Sequence, residues 1–312
     1  MVKVVVSSAG KSPLARDLPV TLEIQGKDAS TATVADVKAA FASKYPKFYA
    51  SRQKLSLKGD KKTLSDETTL ASLGIADEGE LAVKDLGPQI SWKTVFVIEY
   101  IGPLIIHPLI YHFPKVFYGG PVSHSVLQKY VYAMVMLHFL KREYESVFVH
   151  RYSHGTMPFA YVFRNSAHYH ILGGLALAYS VYSPTFSSAS PWIRGTIREN
   201  PKFLWACIAV WLFSEISNFK THLTLRDLRP AGTKKRGVPL GYGFNLVTCP
   251  NYFFESIGWL SISAMTGSYS SWFFFVVGTY TMAMWALKKH KNYKKEFGTA
   301  YPKRKIMFPF LW

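Results

Sequence analysis

In the stretch NLVTCPNYFFESIGWL, Asn245 to Leu260, an amide, a phenol and a carboxylate stand at the head of an apolar run. Asn251, Tyr252 and Glu255 can between them hydrogen-bond a polar ligand and move a proton. A helix cap and an interfacial aromatic would use the first two more plainly. Lys141 and Arg142, adjacent in LHFLKREYESVFVHRYSHG, close an earlier apolar segment. There they suit a helix C-terminus and a cytosolic boundary, or grip a phosphate. Glu99 lies inside WKTVFVIEYIGPLIIHPLIYHF, where a carboxylate costs a few kcal/mol and is by default a functional candidate. The loop SNFKTHLTLRDLRPAGTKKRGVPLGYGFNLVTCPNY carries Arg226, Arg229, Lys234, Lys235 and Arg236 among glycines and prolines. Cations on backbone that can approach a ligand closely match a polyphosphate, or an anionic lipid surface.

Other chemistries fit less well. His150, His154, His168 and His170 are spaced like parts of membrane di-iron boxes, yet neither a His-His pair nor a third box accompanies them, so a metal is not expected. Cys207 and Cys249 make no zinc spacing and no disulfide framework. No GxGxxG follows a strand, which excludes a Rossmann carrier for any nucleotide.

The elements that must position these groups follow from composition. The 312 residues are 49% hydrophobic and carry a formal charge of +18, as suits a basic membrane protein. Residues 1–86 hold 13 Lys+Arg against 11 acids, while the rest hold 24 against eight. The boundary near Leu86-Gly87-Pro88 therefore separates a soluble domain, 1–86, from a membrane domain, 87–312. In the first, VKVVV, VTLEI, QKLSLKG and GELAVKDL predict strands around a helix in TVADVKAAFASKY. Thr33 is its expected N-cap, and Val34, Val37, Ala40, Phe41 and Tyr45 form one face. This order resembles the ubiquitin-like β-grasp, here serving docking or stability.

The second domain has apolar segments at 92–113, 126–140, 168–186, 203–219, 252–267 and 272–287, giving about six transmembrane helices. Six basic residues in 220–250 and eight after 287, against one in 114–125 and none in 268–271, place both termini and the site on the cytosolic side. The start of the chain lacks the apolar core of a signal peptide, in keeping with a cytosolic N-terminus.

The tail KKHKNYKKEFGTAYPKRKIMFPFLW resembles the end of the steroid 5α-reductase superfamily. With SNFKTHLTLRDLRPAG, GFNLVTCPNYFFE and the ubiquitin-like start, the chain is similar throughout to the very-long-chain trans-2-enoyl-CoA reductases. The resemblance implies NADPH-dependent reduction of trans-2-enoyl-CoA, the last step of each fatty-acid elongation cycle, in the endoplasmic reticulum membrane. It implies membrane lipids and the elongase, ketoacyl reductase and dehydratase as partners, and no nucleic acid. It also implies that Asn218, Arg226, Arg229, Arg236, Asn251, Glu255 and Tyr293 hold the cofactor. Tyr252, Glu99, Lys141 and Arg142 then serve catalysis, with Tyr252 the acid or enolate donor. Two positions depart from the steroid enzymes: Phe139 stands where they carry a catalytic tyrosine, and His222 replaces an acid. The alternatives are an isoprenylcysteine-type methyltransferase using S-adenosylmethionine and a non-enzymatic membrane scaffold.

Overall fold

Alternation of valines buries one face of the first strand, β1 (Val2–Ser8), with Val2, Val4 and Val6 inward. It pairs antiparallel with β2 (Val20–Ile24). Helix α1 (Val34–Lys44) follows, then β3 (Gln53–Leu57) and β4 (Gly79–Asp85). β4 runs parallel to β1 and antiparallel to β3, so the sheet order is β2-β1-β4-β3, that of a β-grasp. Val34, Val37 and Phe41 of α1 pack with Val4, Leu55 and Leu81 in one apolar core.

The start of α1 is held by reciprocal hydrogen bonds. The Thr33 side chain accepts from the Asp36 amide, and the Asp36 carboxylate accepts from the Thr33 amide at 2.8 Å. Lys27 donates to the same carboxylate at 2.8 Å. The Lys27 ammonium, then the Thr33 amide, hold that carboxyl down at about 2.

The computed structural model describes residues 1–10, 14–152, 155–229 and 237–312. These form two compact units, Met1–Ser91 with a returning segment at 154–161, and Trp92–Ser153 with Val162–Trp312. In the returning segment β6 (Thr156–Pro158) pairs antiparallel with β5 (Gln89–Ser91). The Phe159 amide adds a 2.8 Å bond to the Pro88 carbonyl.

The second unit is helical: α2 (Trp92–His112), α3 (Pro114–Tyr118), α4 (Val126–Tyr144), α5 (Ala160–Ser166), α6 (Leu177–Val181), α7 (Pro201–Asp227), α8 (Pro250–Thr266) and α9 (Tyr269–Phe297). A π-helical turn, Glu145–Val149, prolongs α4, and a π-helical segment, Ala167–Ala176, joins α5 to α6. Ser125 and Gln128 cap α4 reciprocally, and Asn200 with Pro201 starts α7. Gly102 lets that π-helical segment lie close to α2, since a Cβ there would meet the His170 ring at 2.1 Å. His170 donates to the Ile98 carbonyl at 2.8 Å. Tyr100, Phe139, Leu177, Trp211, Trp259 and Phe274 share the unit's core. Among the described residues, α2 is the helix long and apolar enough to cross a membrane by length and composition.

Thr33→Ala should destabilise α1 by about 1 kcal/mol, seen as faster hydrogen exchange of its amides in the full chain. The Asp36 contribution has a fixed sign with pH. Its folded value is depressed, so its stabilisation is full above about pH 4 and is lost as pH falls towards 2.

Candidate active site

Polar residues recur at helical spacing on three otherwise apolar helices. On α4 and its π-helical extension these are His138, Lys141, Arg142 and Glu145. On α7 they are Glu215, Asn218 and His222, and on α8 Asn251 and Glu255. Each set lies along one helix face, and packing brings the three faces together.

Asn218, 1% exposed, is the hub. Its Nδ2 donates to the Asn251 carbonyl at 2.9 Å and to Glu255 Oε2 at 3.1 Å, while its Oδ1 accepts from Lys141 Nζ at 2.7 Å. The same ammonium pairs with Glu215 Oε2 at 2.6 Å. His138 Nδ1 donates to Glu215 Oε1 at 2.8 Å, and its Nε2 stands 3.4 Å from Glu255 Oε1. Lys141 is thus turned inward onto protein partners. The side-chain amide of Asn251, only 5% exposed, has no protein partner among the described residues.

A second group surrounds Arg142. Its Nη1 donates to Glu145 Oε2 at 2.7 Å and its Nη2 to the Tyr100 hydroxyl at 2.8 Å. Glu145, with no exposed surface, also accepts from His222 Nδ1 at 2.8 Å. Burial alone would raise this carboxyl, but His222 and then Arg142 outweigh it and hold the group well below the usual carboxylate range. His222 is lowered by burial, against the pull of Glu145. The Arg142 guanidinium is the permanent cation of the group. His150, whose ring is 4.9 Å from that of His222, is pushed down to about 2 by burial, then by Arg142. The ligand-type atoms of Glu145, His150 and His222 lie within 4.8 Å of one another. A guanidinium already supplies the positive charge there.

The other candidates stand outside these two hydrogen-bonded groups. Glu99, 1% exposed, has one carboxyl oxygen, Oε1, without a hydrogen-bond partner. Tyr252 is half-buried, with the Lys289 ammonium 4.8 Å from its ring centroid and the Trp285 ring at 6.3 Å. Tyr293 packs on Phe297 and Tyr301 at 5.8 and 5.7 Å. Arg226 pairs with its neighbour Asp227 at 2.8 Å and does not join the buried groups. Arg229 donates to the Arg151 carbonyl at 2.9 Å, and Arg151 donates back to the Arg229 carbonyl. Arg236, Lys234 and Lys235 lie outside the described residues, as does His154.

Sequence reasoning did not single out Tyr100, His138, Glu145, Glu215 or Lys289. Spacing of three to four residues from Lys141, Arg142 and Asn218 was the available signal for three of them. The remaining histidines serve structure one by one. His107 bridges the Tyr182 hydroxyl at 2.7 Å and the Gly173 carbonyl at 2.9 Å, and His168 stacks on Phe274 at 5.0 Å.

Residues 155–312 match the model of the 3-oxo-5-alpha-steroid 4-dehydrogenase family, and residues 21–85 match that of the TECR ubiquitin-like domain. A very-long-chain enoyl-CoA reductase of Dictyostelium discoideum is 40% identical over 250 residues, 80% of this chain and 79% of the relative. The Caenorhabditis elegans protein art-1, named for the same activity, is 37% identical over 308 residues, 95% of each chain. A Schizosaccharomyces pombe protein with an enoyl reductase name is 51% identical over 251 residues, 80% of this chain and 82% of its own length.

The chain belongs to the very-long-chain enoyl-CoA reductase family, within the steroid 5α-reductase superfamily. As a member of it, the protein buries Phe139 completely, 6.4 Å from the rings of Tyr100 and Tyr169 and 6.0 Å from Trp259. No hydroxyl can act from position 139, so an acid must come from elsewhere in this reductase.

Glu145→Ala would leave the Arg142 guanidinium buried without its carboxylate. Thermal unfolding in detergent should show a loss of about 3–5 kcal/mol, and a smaller one for Glu145→Gln. A change below about 0.5 kcal/mol in both variants would mean that the pair is effectively solvated. The wild-type contribution is full above the ordinary glutamate value of about 4.3 and fades as pH falls through the depressed folded value.

Proposed function

We propose that the protein is an NADPH-dependent trans-2-enoyl-CoA reductase of the endoplasmic reticulum membrane, completing each cycle of very-long-chain fatty-acid elongation. Family membership along most of the chain carries this reading. The reductase names of the relatives favour it over a methyltransferase or a scaffold. Exposed apolar side chains support the membrane setting, among them Ile101, Ile105 and Leu109 of α2, Trp205, Phe213 and Ile216 of α7, and Phe273 and Val276 of α9. Such residues on several helices suit lipid contact, and the six crossings would use the polar helix ends to complete their length. Both termini and the site would then face the cytosol, with the other elongation enzymes as neighbours.

The residues present fit a nicotinamide cofactor. The Asn251 amide, buried and without a protein partner, can give and take the two hydrogen bonds of a carboxamide, and Glu255 beside it can accept one. When bound, the cofactor supplies the hydride that adds to the β-carbon of the enoyl thioester. Asn218 would hold the Asn251 and Glu255 frame from behind. Arg226, Arg229 and Arg236 would meet phosphates at the end of α7 and in the following loop, with Tyr293 on the same side.

Negative charge then develops on the thioester oxygen, and a preorganised donor there lowers the barrier. Tyr252 would be that donor, with the Lys289 ammonium beside its ring, and its phenol would pass to the α-carbon the proton that completes the reduction, to be replaced from solvent. Lys141 and Arg142 would keep the buried carboxylates neutralised while the substrate binds. Glu99 would face the acyl thioester, its unpartnered oxygen available to a substrate-side donor or, when protonated, able to donate. The apolar helices would shelter the acyl chain from water.

Oxidation of NADPH by the purified protein with trans-2-hexadecenoyl-CoA in detergent tests the reading directly. An intact fold without turnover would overturn it. Tyr252→Phe should lower kcat by about 10²–10³ with little change in substrate KM, because the contact forms mainly in the transition state. A rate within a few-fold of wild type would reduce Tyr252 to an interfacial anchor. Neutralising Arg229 or Arg236 should raise the KM for NADPH by about one to two decades and leave that for enoyl-CoA nearly unchanged. Unaltered NADPH dependence in both variants would return this loop to lipid contact.

A further inference from the structure

Five side chains from three helices form a closed circuit inside the second unit. Glu255 is next to His138, His138 to Glu215, Glu215 to Lys141, Lys141 to Asn218, and Asn218 again to Glu255. The separations run from 2.6 Å for Lys141–Glu215 to 3.4 Å for His138–Glu255. His138, Glu215 and Asn218 are all buried, and neither His138 nor Glu215 has a part in the reaction as described above.

Charge and hydrogen-bond accounting assign their job. The circuit holds two carboxylates and one ammonium, and a net negative charge is costly to bury. The His138 ring spans the two carboxylates, with Nδ1 hydrogen-bonded to Glu215 Oε1 at 2.8 Å and Nε2 3.4 Å from Glu255 Oε1. Glu215 in turn holds Nδ1 on one oxygen and Lys141 on the other. Glu255 Oε2 accepts from Asn218, while its Oε1 stands within ion-pair distance of His138 Nε2. The His138 ring lies edge-on to Trp259 at 4.9 Å, which limits its rotation.

We propose that His138 and Glu215 are positioning residues for cofactor binding. His138 bridges Glu215 to Glu255 and aims the Glu255 carboxylate at the nicotinamide carboxamide, while Glu215 holds His138 and Lys141 in register. The inference rests on the reading that Glu255 meets the carboxamide.

Two substitutions separate the ends of the imidazole. His138→Asn keeps a donor near the Nδ1 position, toward Glu215, and loses the one toward Glu255. His138→Gln keeps a donor near the Nε2 position. In the full-length protein in detergent, His138→Asn should raise the KM for NADPH about ten-fold, the scale of one lost hydrogen bond to a charged group. Its kcat should change less, and His138→Gln should restore the KM to within about three-fold of wild type. Glu215→Gln should also raise the KM, and it serves if His138→Asn does not fold. A merely structural role would lower thermal stability and active fraction in all three while leaving KM alone. Glu255→Gln is the control for the underlying reading, and an unchanged NADPH KM there sinks that reading. If Glu255→Gln raises the KM but the two histidine variants have equal KM, raised or not, the positioning role is wrong.

Discussion

Charge buried among apolar helices must be neutralised by other helices, and the second unit is organised by that constraint. Water cannot solvate Glu215 or Glu145 at their observed burial, so each carboxylate needs a cation and hydrogen-bond donors within reach. Lys141 and Arg142, adjacent in sequence, stand about 100° apart on the polar side of α4. One serves Glu215 on α7 and the other Glu145 on the π-helical turn. Removing either partner of such a pair costs a sizeable part of the 5–15 kcal/mol by which a domain is stable. The registers of α4, α7 and α8 are therefore tied to these contacts as well as to the packing of Phe139, Trp211 and Trp259.

The same constraint gives local irregularities a purpose. Continuing α4 as a π-helical turn carries Glu145 to the side of Arg142 and leaves His150 next to His222. A single π-type turn inside a helix often accompanies a functional site. On α8 the main chain takes part as well: the Asn251 carbonyl accepts from Asn218, so the Asn251 side chain remains available. Asn251 lies within α8 and is not its N-cap, which is Cys249, so the plainer capping use is not the one its side chain serves. In the proposed reading the same circuit would also present an amide and a carboxylate to the cofactor.

The first unit obeys a different rule. Its exposed ion pairs, such as Lys58–Glu80 at 2.7 Å, are screened, Arg52–Asp85 is partly buried, and the main stabilisation comes from the alternating apolar faces of the sheet against α1. Nothing proposed for catalysis resides among its charges.

What the sequence determined by itself was periodic or local. Valine alternation marked β1, the Thr33–Asp36 pair marked the start of α1, and the apolar runs marked the long helices, because each signal is complete within a few residues. The paired motifs of the tail and of the α7–α8 loop also carried the family. The β5–β6 ribbon was not legible, since strands of three residues show no period and their partners, such as Ile90 and Met157, lie far apart in sequence. Lys141, Arg142 and Glu99 could be recognised as displaced charges, but not what neutralises them. His138 and Glu215 meet across 77 positions, as do Lys141 and Asn218. Helical period assigns a residue to a face, while the partner opposite that face depends on how the helices slide and rotate as their cores pack. Only tertiary structure decides that, which is why Lys141, Asn218 and Glu255 could be named from sequence while His138, Glu215 and the circuit joining all five could not.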